Sequence, residues 1–244
     1  WEKQPARPAR YAPPPAELHP QLLSLLREKE WLPLFTHQAA AVSSALNGEN
    51  VVVVSGTASG KSLAYMLPIA HGLLSEPGSR ALCLFPTKAL SQDQSVAMNQ
   101  IFTALGGHHQ ARTYDDDTPS GRRTAIRQQA DVIITNPDML HTGILPAHTR
   151  WGSFFGQLRY IVLDELRTYR GIFGSHVANV LRRLQRICAF YGSQPQFICT
   201  SATIANPQAH AERLIEAPVT LVDNDGSPRS EKHVILYNPP MLDA

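Results

Sequence analysis

The strongest chemical signal in this chain is the run Ser55-Gly56-Thr57-Ala58-Ser59-Gly60-Lys61-Ser62. Glycines in such a run permit backbone angles that a side chain would forbid, so successive N–H groups can turn inward around phosphate oxygens. Lys61 would reach the terminal phosphates of a nucleotide, and Ser62 would ligate Mg²⁺. Ser55 stands where the pattern commonly has glycine, which is a mild departure because Gly60, Lys61 and Ser62 are all present. The residues from Gly56 to Ser62 are therefore predicted to bind a nucleoside triphosphate.

A second chemical signal is the carboxylate pair Asp164 and Glu165, which closes the apolar run from Tyr160 to Leu163. In α/β proteins the carboxyl ends of the strands are where ligands bind. We predict that Asp164 holds the shell of a Mg²⁺ ion while Glu165 accepts a proton from the attacking water or orients it. The alternative is an ordinary acidic strand end, and the phosphate loop in the same chain weighs against it.

Further polar residues lie at the ends of the other apolar runs. Ser201 and Thr203 follow the run from Phe197 to Thr200, where small hydroxyls could hydrogen-bond the acidic pair or else cap a helix. Gln38 offers amide donors and an acceptor suited to an adenine edge, although N-capping by Thr36 is a competing interpretation of that segment.

Two more turns carry groups that could contact a phosphate backbone. One follows the second apolar run and the other follows the third, and each combines hydroxyl, amide or helix-start N–H groups. The residues concerned are Pro86, Thr87 and Lys88 in the first turn, and Thr135, Asn136 and Pro137 in the second.

The elements that must position these groups are predicted from six short apolar runs that alternate with helical patterns. This alternation is typical of a mainly parallel β-sheet with helices on both faces. One helix is expected from Ser62 to Leu73, with Pro68 as a kink or a weak point, and another from Val177 to Tyr191. The outer face of the second helix carries Arg182, Arg183 and Arg186, interpreted as a solvated basic face, with contact to a nucleic acid or a partner domain as the alternative. The runs are Val51–Val54, Ala81–Phe85, Val132–Thr135, Tyr160–Leu163, Phe197–Thr200 and Val219–Val222.

Composition bounds the class of protein without identifying it. The chain has 244 residues, 43% of them hydrophobic, and a formal net charge of +2, which neither demands nor excludes a nucleic-acid partner. Three scattered cysteines suggest neither a disulfide framework nor a zinc site, and a reducing cytoplasm fits them best. No apolar stretch approaches the ~20 residues of a membrane span, so no membrane partner is expected.

Domain boundaries are predicted from proline content and apolar density. Residues 1–15 contain five prolines and few apolar residues, and are predicted to be a flexible lead-in. A helix over residues 16–30 is expected to open a single domain that extends to residue 222. Residues 223–244 are predicted to be an exit linker with one short added strand.

The ordered set of motifs resembles the superfamily 2 helicases of the DEAD/DEAH-box group over residues 34–222. Longer stretches, including residues 135–145 and 169–177, resemble the bacterial YprA/MrfA (SftH-like) DNA-repair helicases within that group. The resemblance implies a RecA-like P-loop domain that binds ATP and Mg²⁺ and works on single-stranded or tailed duplex DNA with 3′-to-5′ polarity. RNA remains open as the polymer, as does a non-catalytic adaptor role.

The resemblance also assigns roles and exposes departures. It implies that Lys61, Asp164 and Glu165 are catalytic and that Ser201 and Thr203 couple hydrolysis to movement. Where the family has Asp-Glu-x-His this chain has Arg167, which is expected either to pair with Glu165 or to contact a nucleotide phosphate. Asp116 replaces a usual glycine, and the acidic run around it is interpreted as solvated. No second motif set follows Thr203, so a second RecA-like domain of a longer parent chain is expected.

Overall fold

A computed structural model describes residues 2–235 of the chain. The strands, in chain order, are β1 (Glu2–Gln4), β2 (Tyr11–Ala12), β3 (Leu34–Phe35), β4 (Val51–Val54), β5 (Arg80–Leu84), β6 (Ala111–Thr113), β7 (Val132–Thr135), β8 (Leu158–Leu163), β9 (Gln196–Ser201), β10 (Thr220–Val222) and β11 (Lys232–Val234). The helices are α1 (Pro20–Glu28), α2 (Thr36–Leu46), α3 (Leu63–Ser75), α4 (Lys88–Ala104), α5 (Ser120–Gln129), α6 (Pro137–Met139), α7 (Gly152–Gly156), α8 (Gly171–Phe190) and α9 (Pro207–Ile215).

The centre of the molecule is a seven-stranded parallel sheet with the strand order β10-β4-β9-β8-β5-β7-β6. Consecutive side chains of a strand point to opposite faces, and β4 shows this directly. Val51 and Val53 join one apolar core, which contains residues of α1 to α4, while Val52 and Val54 join a second core containing residues of α7, α8 and α9. The predicted RecA-like arrangement of a parallel sheet between helical layers is confirmed.

All six predicted apolar runs are strands of this sheet, with ends that differ by no more than two residues. The seventh strand, β6, was not predicted because it is short and contains the exposed Arg112. α3 continues through the buried Pro68, where a kink or a weak point of the helix was expected. α8 begins at Gly171, six residues earlier than predicted. None of the helices within residues 2–235 is both long and apolar enough to cross a membrane.

Residues near the start of the chain pair with other strands where a flexible lead-in was predicted, and a short strand, β11, lies in the predicted exit linker. β1 pairs with β11 and β2 pairs with β3, both antiparallel. Between these pairs, Arg7 and Arg229 exchange backbone hydrogen bonds of 2.8 and 2.9 Å. The lead-in is held by these backbone pairs, by the stacking of Tyr11 on Phe35 and by the bonds of Arg7 and Arg10 to residues 225 and 227, contacts between distant positions that composition does not reveal. The last part of the predicted exit linker, residues 236–244, lies outside the described residues.

Candidate nucleotide site and nucleic-acid surface

The phosphate loop joins the buried strand β4 to α3 at one edge of the sheet. Gly60 has a φ of 76°, which favours glycine, and a Cβ there would lie 2.6 Å from the side-chain nitrogen of Gln38 and would displace it. Gly56 does not use the left-handed region. The second left-handed residue is Ala58, with a φ of 55°. The prediction of a glycine-dependent turn therefore holds at Gly60 but not at Gly56.

Lys61 lies inside the loop. Its ammonium group donates hydrogen bonds to the carbonyl oxygens of Ser55 at 3.2 Å and Gly56 at 2.5 Å. Burial lowers the pKa of Lys61, while the charges of Glu165 and Asp164 oppose that shift. The ammonium group of Lys61 is thus held by carbonyl groups of the phosphate loop.

The unusual Ser55 has a structural role in the loop. Its hydroxyl oxygen lies 2.6 Å from that of Ser59, and both side chains are buried. This hydrogen bond spans four residues and closes the base of the loop. The backbone N–H of Ser55 also donates to the carbonyl of Ser201, 3.3 Å away, which ties the loop to the end of β9.

The acidic pair begins where β8 ends. Asp164 accepts a short hydrogen bond from the Thr200 hydroxyl, and burial raises the pKa of Asp164 while this hydrogen bond opposes the rise. Glu165 has a left-handed backbone with a φ of 52°, a conformation that costs free energy in a non-glycine residue and is common at functional sites. Asp164 and Glu165 therefore sit at a sharp turn after β8, at the same edge of the sheet as the phosphate loop that follows β4.

Arg167 occupies the short helical turn Leu166–Thr168 that follows the acidic pair. Its Nε donates a hydrogen bond of 2.8 Å to a carboxylate oxygen of Glu165. About half of the Arg167 side chain is exposed, compared with 23% of Glu165. The structure thus has the first of the two contacts expected for Arg167, an ion pair with Glu165.

Ser201 and Thr203 do not hydrogen-bond the acidic pair as predicted. Ser201 is fully buried, and its hydroxyl has no hydrogen-bond partner among the described residues, while Thr203 is exposed. Neither residue caps α9, which begins after Asn206. The bond to Asp164 comes instead from Thr200. The sheet register could have revealed this, because Leu163 is opposite Cys199 and the next pair along is Asp164 and Thr200.

Gln38 connects the start of α2 to the phosphate loop. Its side-chain oxygen accepts from the N–H of Phe35 at 2.9 Å, and its nitrogen donates to the carbonyl of Gly60 at 3.0 Å. Thr36 does not cap the helix, because its hydroxyl donates to the carbonyl of Asn224. Gln38 thus touches the predicted nucleotide site while both ends of its amide are engaged within the chain.

Asp225 is a part of the site that the sequence did not indicate. It accepts from the backbone N–H of Gly56 at 3.2 Å and forms an ion pair with Arg7 at 3.2 Å. Burial alone raises the pKa of Asp225, but hydrogen bonds from Ser227 and Gly56 and the charge of Arg7 lower it to about 2. A carboxylate from the segment after β10 therefore braces the first turn of the phosphate loop.

The first predicted nucleic-acid turn lies at the exposed start of α4. Thr87 caps this helix by accepting from the N–H of Leu90 at 3.4 Å. Lys88 forms ion pairs with Asp116 at 2.9 Å and Asp117 at 2.7 Å, which raise its pKa. Asp116 and Asp117 are largely exposed, in agreement with the solvated interpretation of the acidic run, whereas Asp115 is buried and accepts from the Thr118 hydroxyl.

The second predicted turn, after β7, is only partly at the surface. Thr135 is buried, and its hydroxyl donates to the carbonyl of Tyr114. Pro137 is buried as well, whereas Asn136 is partly exposed and accepts from the N–H of Met139 at 2.8 Å. Side-chain contact with a ligand is therefore open to Asn136, with Thr135 and Pro137 shaping the turn beneath it.

The donor set at the sheet edge fits a magnesium nucleotide. Ser62 and Asp164 offer hard oxygen ligands of the kind Mg²⁺ prefers, and Lys61 adds a cation for phosphate oxygens. The Asp164 carboxylate is already oriented by Thr200, as ligands commonly are by a second layer of hydrogen bonds.

Known proteins resemble this chain along its whole length. The DEAD/DEAH box helicase family matches residues 35–211. The chain is 49% identical to the ATP-dependent helicase YprA of Bacillus subtilis over 242 residues, which are 99% of the chain and 32% of YprA. It is 44% identical to the ATP-dependent helicase Hrq1 of Saccharomyces cerevisiae, over 98% of the chain and 22% of Hrq1.

Among solved structures, the helicase MrfA bound to DNA and AMPPNP superposes with a TM-score of 0.96 at 48% identity. That match covers 100% of this chain and 34% of MrfA. The chain therefore spans about a third or less of these relatives.

Proposed function

The chain belongs to the DEAD/DEAH box helicase family, and from this premise we propose that it is the ATP-binding motor domain of a 3′-to-5′ DNA helicase that acts in cytoplasmic DNA repair. The observation that carries the proposal is that the phosphate loop follows β4 and the acidic pair follows β8, two parallel strands on either side of β9, so both lie at the same edge of the sheet. The choice of DNA rests on the similarity to MrfA, which has been solved with DNA and AMPPNP.

In the proposed mechanism the phosphate loop binds the triphosphate of ATP. Lys61 would leave the loop carbonyls for the terminal phosphates, and Ser62 and Asp164 would hold Mg²⁺. The bound ion would neutralise phosphate charge as the terminal group departs. Glu165 orients the attacking water and takes its proton, while Thr200 keeps Asp164 in place and Arg167 restrains Glu165.

Coupling between hydrolysis and movement is assigned to the end of β9. Ser201 contacts the phosphate loop through its carbonyl, and Thr203 is exposed two residues later. The backbone of the nucleic-acid strand would be contacted at two turns on the same edge of the sheet. One turn contributes Thr87 and Lys88, directly after Pro86, and the other contributes Asn136.

Efficient turnover is proposed to require a second RecA-like domain that contributes arginine fingers. Such an arginine is worth about 10³ to 10⁵ in rate in related phosphate-loop enzymes. The chain covers only 32% of YprA, which leaves room in that relative for a second motor domain.

The test is nucleotide affinity measured before and after Lys61→Ala, by titration with a fluorescent ATP analogue and Mg²⁺. Loss of a charged hydrogen-bond donor should weaken binding by about 10- to 100-fold, equivalent to roughly 1.5–3 kcal/mol. Lys29→Ala, at an exposed position beyond α1, is the matched control and should bind as the unchanged chain does. A chain with no nucleotide affinity to lose would be a non-catalytic adaptor.

A further inference from the structure

A basic groove lies between α8 and the turn that follows β7, outside the nucleotide site. Its volume is about 460 Å³. Its lining includes three arginines and two histidines against a single acidic residue, Asp138. Phe173, 40% exposed, provides an apolar wall at the start of α8. The basic residues are His141, His176, Arg182, Arg183 and Arg186.

Four of the lining residues form a stripe along α8. His176, Asn179, Arg183 and Arg186 are separated by three, four and three positions, so they share one face of the helix. With a rise of 1.5 Å per residue the stripe is about 15 Å long. A stripe of this length can contact several consecutive groups of an extended polymer.

The arginines of the stripe are not neutralised by carboxylates. Arg182, beside the stripe, pairs with Glu216 at 2.7 Å, whereas neither Arg183 nor Arg186 forms an ion pair within residues 2–235. Arg183 donates instead to the carbonyl of His141 at 3.1 Å, which fixes α8 against the turn after Pro137. Two positive charges thus face the groove on a rigid support.

The groove continues the predicted nucleic-acid surface. Its lining starts at Pro137 and Asp138, directly after Asn136. A strand that contacts Asn136 would meet the α8 stripe next, with Arg183 and Arg186 facing it. Guanidinium groups suit phosphates because their fork of N–H donors matches phosphate oxygens.

We propose that this groove binds the phosphate backbone of the same nucleic-acid strand beyond Asn136, with Arg183 and Arg186 as phosphate ligands. The inference rests on the proposed function, because that function places the strand at Asn136. It extends the contact surface from the turns after β5 and β7 to the length of α8.

The test is the salt dependence of binding to a long oligothymidine, measured by fluorescence anisotropy. Each phosphate contact contributes about 0.7 to the slope of log affinity against log salt concentration on single strands, so Arg183→Ala with Arg186→Ala should lower the slope by about 1.4. Arg186→Ala alone should lower it by about 0.7, and this variant leaves the bond between Arg183 and His141 intact.

The matched control is Arg27→Ala with Lys29→Ala, which removes two exposed charges at the end of α1 and should leave the slope unchanged. Equal slopes for the unchanged chain and both arginine variants would overturn the inference, and would be the result if the groove served an acidic protein instead. If those slopes are equal but Lys88→Ala loses DNA binding, only the inference about the groove fails and the proposed function is still supported. An unchanged chain without salt-dependent DNA affinity would overturn the proposed function itself.

Discussion

Arg167 sets the surroundings of the carboxylate that is proposed to handle the attacking water. A guanidinium group only donates hydrogen bonds and stays charged, whereas the histidine usual in the family can also accept. Its bond to Glu165 therefore competes with any bond that Glu165 makes to water. The bond occupies one of the two carboxylate oxygens of Glu165, which leaves an attacking water only the other oxygen as an acceptor free of Arg167.

We predict that Arg167→His increases ATP turnover in a protein that includes the second motor domain. An ion pair at a half-exposed site is worth up to ~1 kcal/mol, so the increase should be no more than about fivefold. Steady-state phosphate release with saturating DNA measures it. Arg170→His, at a neighbouring exposed position, is the control. Unchanged turnover would show that Arg167 has no catalytic consequence.

Local spacing decided which site residues could be predicted. The phosphate loop is one continuous run of residues, and the acidic pair is another. Each could therefore be predicted from its residue types alone. Thr200 reaches Asp164 at the end of the neighbouring strand of the sheet. Asp225 reaches the phosphate loop because the chain returns to it after β10. Asp225 is 169 positions from Gly56, and no spacing rule connects the two.

Among the elements, the segment after β10 is the one most closely fitted to the nucleotide site. Gly226 is enclosed so tightly that a Cβ would lie 2.4 Å from the Thr36 hydroxyl and 2.5 Å from the carbonyl of Arg10. Its N–H donates to the buried imidazole of His37 at 3.2 Å. Asp225 is held beside the phosphate loop by these contacts.

We predict that Asp225→Asn destabilises the domain by about 1–3 kcal/mol at neutral pH, because Arg7 loses its ion pair and Gly56 a charged acceptor. The pKa of Asp225 is lowered from 3.8 to about 2 on folding, so its contribution is complete above pH 3.8 and is lost as the pH falls toward 2. Thermal unfolding of both proteins across this range measures it. The difference should shrink in acid, and Asp223→Asn, at an exposed position, should show none. Equal unfolding temperatures at neutral pH would contradict the prediction.

Element prediction succeeded where burial left a pattern and failed where it did not. The six predicted strands are apolar because helices cover both faces of the sheet. β1 and β2, which were not predicted, are three and two residues long, and β1 pairs with a strand more than 220 positions away. Edge pairing of this kind uses backbone groups, which every sequence has.

At the scale of the whole molecule, we predict that the 244-residue chain binds ATP but hydrolyses it about 10³- to 10⁵-fold more slowly than a protein that includes the second motor domain. The reason is the arginine finger that the second domain would contribute. Phosphate release with and without single-stranded DNA measures the rate, and Lys61→Ala gives the background. Strong DNA-stimulated hydrolysis by the chain alone would refute the requirement for a partner domain.

The pairing of Lys88 with Asp116 and Asp117 has a consequence for selectivity. The two carboxylates imitate a phosphate, so a ligand gains at Lys88 only the difference between its own anion and this built-in competitor. A single free phosphate ion would bind Lys88 little more favourably than the two aspartates already do. A polymer, anchored at Asn136 as well, can displace them because its second contact keeps it in place while the exchange occurs.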